Sequence, residues 1–246
     1  MKGIIIVPSR LGSTRLANKA LADINGKTMI ARVLESCLLA CNLSGLDLLL
    51  ATDNDIIAKQ AIGLGVNYQM TPSELKTGSD RIFEALKLQN TLSKYDVVIN
   101  VQGDVPNIEP ELIIKTAEVL NLVSKADIST AFYKIDASKA QNPNVVKPVL
   151  SFCNELKDVA KALYFTRSLC PHNAPWYYEH IGIYAYRTAA LQKFVSLAQT
   201  SLEKCESLEQ LRAIENSMQI YGHITEHKPI SVDTQDDLEH ARLFIK

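Results

Sequence analysis

The sequence has no surplus of positive charge. Lys and Arg number 26 against 27 Asp and Glu, a formal net charge of −1 over 246 residues. Nucleic-acid-binding domains normally carry a basic excess, so that class is disfavoured. Any phosphate chemistry then belongs to a local pocket. No apolar run approaches the length of a membrane span; stretches rich in apolar residues, such as Ile4–Val7 and Leu46–Ala51, are of strand length. Lys2 is followed by an apolar run that Pro8, Ser9 and Arg10 cut too early for a signal peptide. The five cysteines, at 37, 41, 153, 170 and 205, are odd in number and form no C-x-x-C pair. Neither a disulfide framework nor a zinc knuckle is suggested, and a reducing, cytoplasmic setting is expected. Walker A, G-x-G-x-x-G, G-x-S-x-G and H-E-x-x-H patterns are all missing. His172, His223, His227 and His240 show no metal-ligand spacing. These absences disfavour nucleophilic and zinc chemistry, and agree with direct phosphoryl transfer, where positioning and charge neutralisation do most of the catalysis.

What is present is a core. Apolar residues make up 47% of the chain, enough for one large domain, and charged residues 22%, ordinary for a globular protein. The continuous apolar run Ile4–Val7 predicts a strand buried on both faces. Further strands are expected at 46–52, 66–70 and 96–101, alternating with helices at 29–39, from the Asp53-Asn54-Asp55 cap to Leu64, 80–88 and 110–122. This βαβα order implies an α/β fold with a mostly parallel, doubly wound sheet. Beyond it, strands are expected at 128–133, 145–150 and 181–186, and amphipathic helices at 202–215 and 235–244. One unit, 1–246, is expected, with elements between about 130 and 190 contributing a lobe or a dimer contact. In such sheets ligands bind beyond the carboxyl ends of the strands. Pro8–Lys19, Thr52-Asp53 and Gln102-Gly103-Asp104 all fall there.

Five constellations carry possible chemistry. Ser9 to Lys19 places Arg10, Arg15 and Lys19 in a loop with Gly12 and Ser13, suited to a triphosphate, or else simply a solvated basic loop. Asp104, opposite that loop, suits Mg²⁺, which takes one or two carboxylates plus substrate phosphates; alone it reads as a turn residue. Asp233 in Ser231-Val232-Asp233-Thr234 reads equally as a helix cap. Thr77-Gly78-Ser79-Asp80-Arg81 reads as a capped helix start, with Ser79 or Asp80 as the cap, or as a helix N-terminus meeting a polar ligand. Arg167, His180, Tyr184, Glu209 and Gln210 form the fifth group, in which His180 and Tyr184 share a face if their segment is extended.

The ordered segments PSRLGSTRL with Lys19, DINGK, ATD, TGSDR, NVQGD with Pro106, NPN with Val146-Lys147, ALYFTR, HIGIYAYR, LEQLR and VDT make the chain resemble the 3-deoxy-manno-octulosonate (KDO) cytidylyltransferase family from Ile4 to Leu238. That resemblance implies a nucleotide-diphospho-sugar transferase fold with a small dimerisation lobe, and transfer of CMP from CTP to an acidic 2-keto sugar for lipopolysaccharide synthesis. It further implies Mg²⁺ as cofactor, a homodimer, a Gram-negative source, and no membrane insertion. By position, Arg10, Arg15 and Lys19 match the triphosphate loop, and Asp104 and Asp233 the magnesium carboxylates. Thr77, Gly78, Ser79 and Gln102 match the cytidine pocket. Arg167, His180, Tyr184, Glu209 and Gln210 match the surroundings of the sugar. Rivals are a transferase for 8-amino-KDO or another sugar acid, and a catalytically silent nucleotide-binding regulator. The family's L-P-G-K-P-L is Leu16-Ala17-Asn18-Lys19-Ala20-Leu21 here, its S-G-T is Thr77-Gly78-Ser79, and its glutamate after Q-G-D is Val105. Without the prolines the loop is expected to be more flexible, and Asn18 can still adopt a left-handed turn, though less freely than glycine.

Overall fold

The computed structural model describes residues 1–12, 16–153 and 156–245. The chain divides into two compact units: residues 1–114 with 229–246, and residues 115–228. The stretch of about 130–190 set apart in the sequence lies within the second, wider unit.

The first unit is built on four parallel strands. β1 (Gly3–Ser9) is the buried apolar run, with Ile5, Ile6 and Val7 fully enclosed. A hairpin of β2 (Asp23–Ile24) and β3 (Lys27–Thr28) follows, turned by Asn25 and Gly26, both at positive φ. α1 (Met29–Ser44) starts at the Thr28 cap and stops at Gly45, whose left-handed φ of 72° ends the helix. β4 (Asp47–Thr52) leads to α2 (Asp55–Gly63), capped by Asn54, whose side chain accepts from the N–H groups of Ile56 and Ile57. β5 (Asn67–Met70), α3 (Gly78–Leu88) and β6 (Val97–Asn100) complete the alternation before α4 (Pro110–Leu122). The strands lie in the order β5-β4-β1-β6, with every pairing in this set parallel. The chain winds one way from β1 through β4 to β5, then returns to the other side of β1. The point between β1 and β6 is therefore a topological switch point, where a crevice opens at the carboxyl ends of the strands.

The second unit contributes five strands of mixed direction to the nine-stranded main sheet. Its elements are β7 (Ile128–Ile135), α5 (Ala137–Ala140), β8 (Lys147–Cys153), β9 (Leu156–Thr166), β10 (Tyr177–Arg187), α6 (Thr188–Ser196), α7 (Ser201–Glu206), α8 (Gln210–Glu215) and β11 (Ile220–Thr225). The strand order is β10-β7-β11-β9-β8, parallel at β7–β11 and antiparallel elsewhere. The α/β, mostly parallel fold expected from the sequence is present, with the antiparallel strands of the main sheet paired in this unit.

The helix expected over 202–215 is two helices. Ser207 adopts φ 53° and breaks the run. A buried ion pair, Arg212 to Glu203, clamps α7 to α8 across the break, with Arg212 Nε donating to Glu203 Oε2 at 2.9 Å. β9, β11 and α6 are further elements not expected from the sequence. The chain then returns to the first unit for α9 (Gln235–Phe244). There Val232, Leu238 and Ala241 pack with Ile24 and Met29 in one buried cluster. Among the described residues, no helix is long and apolar enough to cross a membrane.

Candidate active site

The crevice at the switch point is a cleft of about 310 Å³. Its walls come from the end of β1 and the loop after it (Ser9, Arg10, Gly12), the turn after β6 (Gln102, Gly103, Asp104), the start of α3 (Thr77, Gly78), Lys19 and Asp233. Thus Arg10, Lys19, Thr77, Gly78, Gln102, Asp104 and Asp233 line one cavity, although 214 positions separate Lys19 from Asp233. Ser79 is buried in the first turn of α3. Arg15 lies outside the described residues.

Three segments deliver the charged centre. Asn18 takes the left-handed conformation, φ 52° and ψ 34°, and a 3₁₀ turn over Lys19–Leu21 follows, placing Lys19 at its head. Asparagine thus serves where a glycine is usual, because its short polar side chain tolerates αL. The return segment before α9 runs beside the turn after β6. Val232 N–H donates to the Asp104 carbonyl at 3.0 Å, and Ile230 N–H to Asn107 Oδ1 at 2.7 Å. Val232 is fully buried, so Asp233 is carried to the cleft by a packed neighbour. Asp233 is not the helix cap. Thr234 caps α9 in a reciprocal box with Asp237. Lys19 Nζ donates to Asp104 Oδ2 at 2.6 Å and to Asp233 Oδ1 at 2.9 Å. Burial pulls the Lys19 ammonium down, but the charge and hydrogen bonds of Asp104, then of Asp233, outweigh it and hold it above its ordinary value.

Two carboxylates converging on one ammonium form a ready cation position. Among the described residues no group of three or more His, Cys, Asp and Glu is placed to hold a metal. A pair of carboxylates is nevertheless what Mg²⁺ commonly takes from a protein, with phosphates and water filling its octahedron. The donor set therefore fits Mg²⁺.

The helix start beside the cleft is capped by Thr77, not by Ser79 or Asp80: its side chain accepts from the Asp80 N–H at 3.1 Å. Gly78 sits hard against the strand ends. A β-carbon there would meet Pro8 Cγ at 3.2 Å and lie 3.6 Å from both Asn100 Nδ2 and Gln102 Nε2. Beneath the loop lies a pair the sequence reading did not assign. Arg81, 2% exposed, donates to Asp53 Oδ2 at 3.2 Å and to Thr71 Oγ1 at 2.6 Å. The other Asp53 oxygen accepts from the Leu11 N–H at 3.4 Å, anchoring the loop after β1. Burial, then the nearby charge of Arg10, lower the Arg81 guanidinium, and Asp53 opposes both. Two signals were available: Asp53 ends a strand, and Arg81 follows a cap at i+4.

The second unit holds the remaining candidates. His180 on β10 sits among aromatic rings, with centroids 5.0 Å from Phe165 and 5.3 Å from Tyr184. Its Nε2 lies 2.9 Å from Thr130 Oγ1. Thr130 has one hydroxyl proton, which it gives to a carbonyl, Ile183 at 2.7 Å or Ile181 at 3.1 Å. Toward His180 it must then accept, so the imidazole carries its proton on Nε2 and leaves Nδ1 as an acceptor. Burial pulls His180 down to about 3, so the ring is neutral at ordinary pH and serves as a hydrogen-bonding group rather than a cation. Tyr184 is raised by burial, then by Tyr186 and Glu209, which places Glu209 in the same electrostatic neighbourhood. Gln210, buried, begins α8. Arg167 is held by contacts of its own. Its backbone N–H donates to Glu206 Oε2 at 2.8 Å and its Nε to the Glu206 carbonyl at 2.8 Å. Buried Lys147 donates to the carbonyls of Asn142, Val145 and Arg167, locking the segment from behind. Glu206 and Thr130 were not singled out from sequence, and Lys147, quoted within a matching segment, was given no role, because each acts through backbone or a neighbour.

Comparison with known proteins follows the same outline. The cytidylyltransferase family model matches residues 4–220. A 3-deoxy-manno-octulosonate cytidylyltransferase of Bartonella bacilliformis is 41% identical over 247 residues, spanning 100% of this chain and 99% of its own. The protein of that name from Brucella ovis is 44% identical over 245 residues, spanning 99% of this chain and 96% of its own. The structure of CMP:2-keto-3-deoxy-manno-octonic acid synthetase complexed with CTP matches with a TM-score of 0.89 at 32% identity, covering 100% of this chain and 98% of that one.

Proposed function

This chain belongs to the cytidylyltransferase family, and from that premise we propose that it transfers CMP from CTP to 3-deoxy-manno-octulosonate, releasing pyrophosphate. The observation that carries the reading is the convergence of Lys19, Asp104 and Asp233 in one cleft at the switch point, lined also by Arg10, Thr77, Gly78 and Gln102. In the reaction, the anomeric hydroxyl oxygen of the sugar acid bonds to the α-phosphorus. The bond from that phosphorus to the bridging oxygen of the β-phosphate breaks, and pyrophosphate departs with the electron pair while the hydroxyl proton passes to solvent. Arg10, Arg15 and Lys19 bind the triphosphate, and Arg15 and Lys19 stabilise charge growing on the leaving pyrophosphate. Thr77, Gly78, Ser79 and Gln102 receive the cytidine. Arg167, His180, Tyr184, Glu209 and Gln210 hold the sugar acid, His180 as a neutral acceptor through Nδ1. Asp104 and Asp233 hold Mg²⁺, which when bound supplies Lewis-acid polarisation of a phosphoryl oxygen. The setting is cytoplasmic, and the product serves lipopolysaccharide synthesis. Pyrophosphate release from CTP with KDO, 8-amino-KDO and a nonulosonic acid side by side tests the assignment. The expected order puts KDO first by kcat/KM; a higher value for either rival reassigns the sugar.

We further propose that the chain works as a homodimer through the second unit. Trp176 is 58% exposed and Phe152, Leu163 and Leu169 nearly half exposed. Lys134 covers one face of the Trp176 ring, its ammonium 3.2 Å from the centroid, and Phe152 packs on Tyr178 at 5.7 Å. Such surfaces need cover, and aromatics are enriched at interfaces. Sedimentation at micromolar concentration is expected to give a dimer that Trp176→Ala weakens. A fully active monomer contradicts the dimer, and a Trp176→Ala dimer of unchanged affinity removes this residue from it.

A further inference from the structure

Lys19 stands where the cation of the proposed reaction belongs. Its ammonium touches one oxygen from each of the two aspartates, and those aspartates come from separate segments, one after β6 and one before α9. Charge-assisted N–H···O contacts of this kind are short, and these are 2.6 and 2.9 Å. A magnesium ion bound to the same two oxygens would sit about 2.0–2.1 Å from each. The ammonium and the ion therefore compete for one place, and like charge as well as volume keeps them apart. Without nucleotide, the ammonium offsets one of the pair's two negative charges and, by bridging the two carboxylates, reduces their mutual repulsion. Lysine suits such a duty because its charge rides on a flexible four-carbon stem. The same side chain lines the cleft together with Arg10 and Gly12, on the side of the proposed triphosphate loop. A triphosphate offers that stem a second set of anionic oxygens.

We propose that Lys19 is an internal stand-in for the metal: it occupies the cation position between Asp104 and Asp233 in the nucleotide-free protein, and a divalent cation takes that position only with the nucleotide, whose phosphates draw the ammonium away. This rests on the reading of Asp104 and Asp233 as the metal carboxylates. Two consequences follow from the competition. The free protein binds divalent cations poorly despite having two converging carboxylates. Metal and nucleotide raise each other's affinity by the same factor, since binding linkage is reciprocal.

The test is a titration of the nucleotide-free protein with Mn²⁺, followed by electron paramagnetic resonance of the free ion. Lys19→Met keeps most of the length of the side chain and removes its charge. It is expected to bind Mn²⁺ at least about 10-fold more tightly than the wild type, within the usual range of coupling between sites. Lys19→Gln is expected to behave alike, and the melting temperature of each variant confirms folding. Adding Asp104→Asn to Lys19→Met is expected to abolish the gain. A Lys19→Met protein with no gain in Mn²⁺ affinity overturns the proposal, whatever the wild type does. The metal assignment is separated by the CTP complex: if Asp104→Asn weakens Mn²⁺ there while Lys19→Met shows no gain without CTP, the carboxylates hold metal and only the stand-in role fails. If Asp104→Asn changes Mn²⁺ binding in neither state, both fail.

Discussion

Asp104→Asn is expected to lower kcat by about 10³-fold, and Asp233→Asn by a similar factor, with little change in stability. A bound metal contributes several kcal/mol of transition-state charge stabilisation, and each 1.36 kcal/mol is tenfold in rate. Asparagine preserves the shape of the side chain, and the Asp104 carbonyl that accepts from Val232 N–H is untouched. What is lost is a hard anionic ligand. The fold should tolerate the change, because the Lys19–Asp104 and Lys19–Asp233 pairs leave 27% and 35% of the two aspartate side chains exposed. Ion pairs so accessible contribute at most about 1 kcal/mol. Steady-state rates measured as a function of Mg²⁺, with melting curves beside them, separate the two effects. A normal rate at limiting Mg²⁺ in either variant would refute its assignment as a ligand.

Arg81→Met is expected to lower the melting temperature by roughly 10 °C, and to raise the KM for CTP. Arg81 is 2% exposed, and the substitution leaves Asp53, 12% exposed, without its cation. Breaking a buried pair from one side costs about 3–5 kcal/mol, and a protein of this size loses about 2–4 °C per kcal/mol. Thr71 Oγ1 and the Pro72 carbonyl lose a partner as well. The effect on CTP comes through Asp53, which pairs with Arg81 on one oxygen and holds the Leu11 N–H on the other. The double variant Arg81→Met/Asp53→Leu distinguishes packing from positioning. Replacing both charges with apolar groups should recover much of the stability, because no unpaired charge remains. It should not recover CTP affinity, because the loop anchor is gone. Recovery of both would show that the pair serves the fold alone.

Much of this architecture was legible because local and global signals agree. Ile4–Val7 reads as a doubly buried strand and is one. Asn54 caps α2 through two backbone N–H groups, as its place before a periodic run suggests. The βαβα order of the first half, with the rule for open parallel sheets, places the polar loops after β1 and β6 at one crevice before any coordinate is known. Asn18 adopts the left-handed turn that an asparagine permits. The failures have physical causes. Hydrophobic periodicity runs unbroken through 202–215, while the break comes from a left-handed serine and an ion pair between residues nine apart. β9 carries Lys157, Asp158 and Lys161 beside small alanines, and β11 contains Gly222, a residue that weakens a strand signal. That glycine exists for packing: a β-carbon there would lie 2.8 Å from the Thr130 carbonyl oxygen and closer still to the Phe132 ring. In the cleft, residue types were readable but distances were not. Spacing alone says nothing of a lysine at 19 meeting aspartates at 104 and 233. The Asp53–Arg81 anchor was hidden for the same reason, since Asp53 in Asp53-Asn54-Asp55 reads as part of a helix cap.

Whether this cleft joins CMP to KDO is read from product analysis of one reaction. Purified protein, CTP, Mg²⁺ and KDO are incubated, pyrophosphate is quantified, and the nucleotide product is weighed by mass spectrometry, with ATP, GTP and UTP in parallel. One pyrophosphate is expected for each CMP-KDO formed, from CTP in strong preference to the other three. Binding of CTP with no pyrophosphate above background, for KDO and for every other eight- or nine-carbon 2-keto sugar acid, would contradict it and leave a silent nucleotide-binding protein in its place.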